Sequence, residues 1–145
     1  MYKHILIPID GTVLSDSAVD KGLAFAREIG ARVTVLMTTE PAPIVMMAMV
    51  QLTEQQNRYH QHAVDQAARH LGEALAKAKA AGVPCETVQV DHDHPYQAII
   101  ETARSRGCDL IAMASHGRRG ISALVLGSET TKVLTHSTTP VLVYR

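Results

Sequence analysis

Five short apolar runs, at 4–9, 32–38, 85–90, 109–114 and 141–144, alternate with segments in which apolar residues recur every three or four positions. The first, fourth and fifth runs are nearly unbroken in Ile, Leu, Val, Met and Ala. A strand with one wet face alternates apolar and polar residues, so an unbroken run predicts a strand covered on both faces. Strands separated by helical patterns predict a parallel sheet with helical crossovers. The fold class expected is therefore α/β: a doubly wound, five-stranded parallel sheet with helices on both faces, its strand order taken to be 3-2-1-4-5. Between the first two strands, Ala18, Gly22, Phe25, Ala26 and Ile29 form one helical stripe that stops at Gly30. A second helix is predicted from about 53 to 81, closed by Gly82-Val83-Pro84. Pro41, Pro43 and a Met-rich stretch at 44–50 precede it, a stretch suited to continuing the helix, covering a cleft or meeting a second subunit. A third helix starts near Pro95 and runs to Gly107, and a fourth runs from Ser128 to about His136.

Composition narrows the classes. With 145 residues, 46% of them hydrophobic, the chain is expected to form one domain over 1–145. Lys+Arg and Asp+Glu both total 14, so no charge excess points to nucleic acid or to a membrane surface, and any anion site must be local. The N-terminal residues lack a signal-peptide pattern, and the apolar run 44–50 is far shorter than a membrane span; a cytoplasmic protein is expected. Cys85 and Cys108 are far apart and have no His/Cys cluster around them, as expected of packing thiols.

The chemistry concentrates after the fourth run. Ala114-Ser115-His116-Gly117 is followed after nine residues by Gly127-Ser128, between an apolar strand and a helix. Glycines admit close approach of backbone N–H groups to an anion, and the first amides of a helix lack intrahelical acceptors, so the loop reads as a phosphate cradle. The plainer alternative is two turn glycines and a helix-capping Ser128. Asp10 ends the first strand, and in the order 3-2-1-4-5 strands one and four flank the switch point, where ligands bind beyond the strand ends. Asp10 suits ribose hydroxyls or a divalent cation beside phosphates, or else an Asx turn or helix cap. Arg118 and Arg119 suit either a phosphate clamp or a solvated loop. His92 and His94 flank Asp93 as capping or hydrogen-bonding residues without a third metal ligand, and His60, His62 and His70 fall on a helix face expected to be exposed. His116 is assigned to holding the loop. No Gly-x-Ser-x-Gly elbow and no P-loop lysine motif is present, so no residue is assigned as catalytic.

The chain resembles the universal stress protein family over its full length. The resemblance rests on Ile5-Leu6-Ile7-Pro8-Ile9-Asp10-Gly11-Thr12, His94-Pro95 with Ala98-Ile99, the block from Asp109 to Gly120, and Leu126-Gly127-Ser128 leading to Pro140-Val141-Leu142-Val143. It implies a stress-response protein that binds ATP, or AMP or ADP, with Mg2+ or Mn2+ beside the phosphates. The runner-up readings are a slow ATPase or phosphotransferase and a nucleotide-free dimeric scaffold. By matched position, Pro8, Ile9 and Asp10 border adenine and ribose, and Thr38 offers backbone atoms to the base. Met113, Ala114, His116 and Gly117 form the first side of the loop; Gly127, Ser128, Glu129 and Thr130 bind phosphates at its second. The family's first loop glycine is Ala114 here, a methyl that is tolerable if its φ is negative. Met37 and Thr12 also stand where the family often has histidine and serine. A side chain at Gly127 is expected to fill the space of a phosphate. The resemblance further implies a homodimer through the C-terminal strand.

Overall fold

The computed structural model describes residues 1–42, 50–117 and 125–145, with residues 50–53 described by their backbone. Most of the Met-rich stretch, and both Arg118 and Arg119, lie outside the described residues. In chain order the elements are β1 (His4–Ile9), α1 (Val13–Ile29), β2 (Arg32–Thr39), α2 (Val50–Ala81), β3 (Cys85–Asp91), α3 (Pro95–Ser105), β4 (Leu110–Ala114), α4 (Ser128–His136) and β5 (Val141–Tyr144). The sheet is all parallel, in the order β3-β2-β1-β4-β5. The expected architecture is therefore the observed one, with element ends moved by one to three residues. β4 starts at Leu110 and not at Asp109, whose carboxylate accepts from the backbone N–H groups of Lys3 (2.8 Å) and His4 (3.0 Å) and so ties the entry of β1 to that of β4.

Successive residues of a strand face opposite sides, and here both sides are apolar. Ile5 and Ile7 of β1 join Val33 and Val35 of β2 in a core under α1 (Val19, Leu23, Ala26) and α2 (Ala67, Leu71, Ala74, Ala78). Leu6, Leu36, Ile111 and Met113 form the other core, under Ile99 and Ala103 of α3 and Val133 of α4. One feature of the register makes room for a site. β1 and β4 are paired at Ile5 with Leu110 and Leu6 with Ile111, yet β1 continues to Ile9 and β4 to Ala114. Their C-terminal halves part, and the crossovers leave on opposite faces at that point.

At the other end of the sheet His4 is buried, 4% exposed. The Thr34 hydroxyl donates its proton to Glu86 Oε1 (2.9 Å), so at the 2.7 Å contact with His4 it accepts from Nε2–H. Burial, and then the charge of Arg32, push the His4 imidazole below its ordinary value of 6.5. Because the folded value lies below the unfolded one, the unfolded chain takes up the proton first as pH falls. The stability associated with neutral His4 is complete above 6.5 and declines below it. Glu86, held low chiefly by the Thr34 hydroxyl, acts only below its ordinary 4.5. Urea midpoints at about pH 7.5 and 5.5 should therefore drop in the wild type and converge in His4→Gln. An unchanged drop in that variant would remove His4 as its origin.

Candidate functional site

The turn after β1 is built by a chain of short polar side chains. Asp10 Oδ1 accepts from the Thr12 backbone N–H (3.0 Å) and from the Thr12 hydroxyl (2.6 Å). Thr12 in turn is the N-cap of α1, its Oγ1 accepting from Ser15 N–H, and the Ser15 hydroxyl oxygen accepts from Asp10 N–H. Asp10 is thus an Asx-turn residue through Oδ1. Its other oxygen faces across the sheet: a methyl added to Gly117 would overlap Asp10 Oδ2. Two residues more than a hundred positions apart meet at the parting of β1 and β4.

On the β4 side, Ala114 is buried at the end of the strand, and its carbonyl accepts from the buried Thr130 hydroxyl at 3.1 Å. Among the described residues no non-glycine has positive φ, so the Ala114 methyl sits on an ordinary backbone. Beyond it the chain is pinned twice: Ser115 N–H donates to Tyr144 O, and Gly127 N–H donates to Ser115 O, each at 2.8 Å. A Cβ at Gly127 would lie 2.9 Å from His116 Cα and 3.3 Å from Ser115 O. The glycine is therefore demanded by the opposing backbone, whatever else a side chain there would fill. His116, bonded to the Ser115 hydroxyl through Nδ1 (3.0 Å), is part of this clasp.

Gly127 is the N-cap of α4 and supplies no side-chain cap, so Ser128 is the first helical residue and not its cap. The Gly127 carbonyl first accepts from Thr131 N–H (2.9 Å). The amides of Ser128, Glu129 and Thr130 precede that bond at the positive end of the helix. The Glu129 carboxylate points aside: Oε2 accepts from Tyr96 N–H (2.8 Å), capping α3, and Oε1 lies 3.3 Å from Lys132 Nζ.

These elements enclose a cavity of about 1060 Å³. Pro8, Ile9, Asp10, Thr38, Met113, Ala114, His116, Gly117, Gly127, Ser128, Glu129 and Thr130 all line it. So do residues not anticipated from the loop: Gln56, Tyr59, His60 and Ala63 of α2, and His92 and His94 before α3. His60, expected on an exposed face, is half-buried and docks α2 onto the sheet, with Nδ1 2.9 Å from Glu40 O and Nε2 3.3 Å from Asp91 Oδ2. A signal for this wall exists in the sequence. The stripe Ala78, Ala74, Leu71, Ala67 runs back at spacings of four, three and four into Ala63, His60 and Gln56, so the buried face of α2 turns polar where it leaves the core. His92 Nδ1 accepts from His94 N–H (2.9 Å), a local turn bond. Among the described residues, no group of three or more His, Cys, Asp or Glu is arranged to hold a metal ion.

An open doubly wound sheet whose cavity lies where its central strands part is an α/β domain with a switch-point cavity. The model of the universal stress protein family matches residues 1–145, and the chain belongs to that family. A universal stress protein of Thermus aquaticus is 30% identical over 146 residues, covering all of both chains. The solved structure of MJ0577 from Methanocaldococcus jannaschii superposes with a TM-score of 0.82 at 26% identity, over 99% of this chain and 95% of that one. A universal stress protein solved in complex with cAMP superposes with a TM-score of 0.68 at 25% identity, over 99% of this chain and 97% of that one.

Proposed function

We propose that this chain is a cytoplasmic stress-response protein that binds an adenine nucleotide, ATP or its mono- or diphosphate, in the cavity between β1 and β4. Adenine rests near Pro8, Ile9 and Thr38, ribose meets Asp10, and the phosphates lie on the amides of Gly117, Gly127 and Ser128 to Thr130. The observation that carries this reading is the meeting of Asp10 with Gly117 beneath the exposed N-terminus of α4, within one cavity of about 1060 Å³. The cAMP complex of a family member supports the ligand class. A divalent cation, Mg2+ or Mn2+, would come with the phosphates, with Asp10 the one carboxylate of the β1 turn beside them, and would offset their charge. Calorimetric titration with ATP, ADP and AMP, together with mass spectrometry of ligand released from the purified protein, tests the reading. Absence of both binding and released nucleotide would reject it.

The proposed assembly is a homodimer through β5. That strand pairs with β4 on one side and is the end of the sheet order. The carbonyls of Pro140 and Tyr144 accept from β4, so by the two-residue period the N–H and C=O of Val141 and Val143 point away from it. Val143→Pro then removes an outward donor and spares the β4 ladder. Light scattering should show a dimeric wild type and a folded, monomeric variant. A monomeric wild type at tens of micromolar (~10⁻⁵ M, the range of weak specific association), or a variant that stays dimeric, would exclude this interface.

A further inference from the structure

The cavity is lined by four carboxylates, Asp10, Glu40, Asp93 and Glu129, among its described residues. Among the described residues that line it, Lys132 is the only lysine or arginine. It lies one helical turn beyond Ser128, at i+4, and so on the same face of α4. Helical side chains lean toward the helix N-terminus, and the Lys132 ammonium does so, reaching back to Glu129 Oε1 at 3.3 Å while standing 5.5 Å from the centre of the Tyr96 ring. The ammonium therefore stands beside the first turn of α4, on its α3 side, within the lining of the cavity.

We propose that Lys132 is the residue that reads the number of phosphates, a mobile cation that leaves Glu129 for the terminal phosphate of a nucleoside triphosphate. This rests on the nucleotide reading of the cavity. The exchange is cheap on the protein side, because the pair with Glu129 is half-exposed and such pairs hold weakly. It also leaves nothing unpaired. Glu129 keeps the Tyr96 N–H through its other oxygen, and its charge remains favourable at the N-terminus of α3. A nucleoside monophosphate, held by the loop amides alone, ends short of Lys132. A triphosphate extends along α4 and brings a dense negative charge to an ammonium whose three donors suit a phosphate as a point charge.

Calorimetry of the full chain with AMP and with ATP, for the wild type, Lys132→Met and Lys132→Arg, tests this. Lys132→Met should weaken ATP binding about tenfold and change AMP binding less than about twofold, while Lys132→Arg should keep most of the ATP affinity. Thermal melting confirms that each variant is folded. Equal loss for both nucleotides, or no loss for ATP, would overturn the role of Lys132 and leave nucleotide binding standing. A wild type that binds neither nucleotide would overturn the underlying reading and this inference with it.

Discussion

Replacement of Gly127 by valine is expected to abolish nucleotide binding, with ATP affinity lowered on the order of 100-fold or more, about 2.7 kcal/mol. The cause is backbone collision. The first side-chain carbon would lie 2.9 Å from His116 Cα, so the two ends of the loop must separate. Separation breaks the Gly127 N–H bond to Ser115 O and displaces the amides of α4 from those of Gly117. Because the clash begins at Cβ, Gly127→Ala should already show much of the loss. Overpacking of this kind costs about 1–3 kcal/mol, so the variant should remain folded with a lowered melting temperature. Titration with a fluorescent ATP analogue, alongside circular dichroism, measures both effects. A folded variant with wild-type affinity would take the clasp out of the site.

Asp10 carries the second large effect, and its two oxygens separate two roles. Asp10→Ala removes the acceptor of both Thr12 bonds, loosening the turn and the cap of α1 at a cost of about 0.5–2 kcal/mol. It also removes the oxygen that faces Gly117, and ATP affinity should fall roughly 10- to 100-fold. Asp10→Asn keeps an Oδ1 acceptor for Thr12 and replaces only the second oxygen. Its melting temperature should stay near wild type while affinity falls about tenfold. Affinity unchanged in Asp10→Asn would reduce the carboxylate to a turn residue.

The parts of this molecule that were legible in its sequence are those where one physical demand determines residue type. Ile5, Leu6 and Ile7 are consecutive apolar residues because β1 is buried on both faces, and Gly30 stands at a left-handed φ of 69° that ends α1. That Asp10 and Gly117 come together at the ends of β1 and β4 was legible because strand order and the turn residues after each strand place them on one crevice. The α2 wall was legible only as a continuing stripe from Ala78 back to Gln56, because Gln56 and His60 look the same facing a polar cavity as facing water. Only the contact of His60 with Glu40 and Asp91, set by the packing of α2 across the ends of β2 and β3, distinguishes them. At Gly127 the sequence left one point open for a related reason. A glycine's sequence position says that a side chain is forbidden but not which neighbour forbids it, and here the neighbour is His116.

Adenine nucleotide is proposed to occupy the parting of β1 and β4. Titrating isotope-labelled protein with ATP and following backbone amide resonances tests it most directly. Large shifts are predicted at Gly117, Gly127, Ser128, Glu129 and Thr130, with a second group at Asp10 and Thr38, and little change at His4, Glu86 or Cys108 at the opposite end of the sheet. No shifts at saturating nucleotide, or shifts confined to residues away from this cavity, would contradict it.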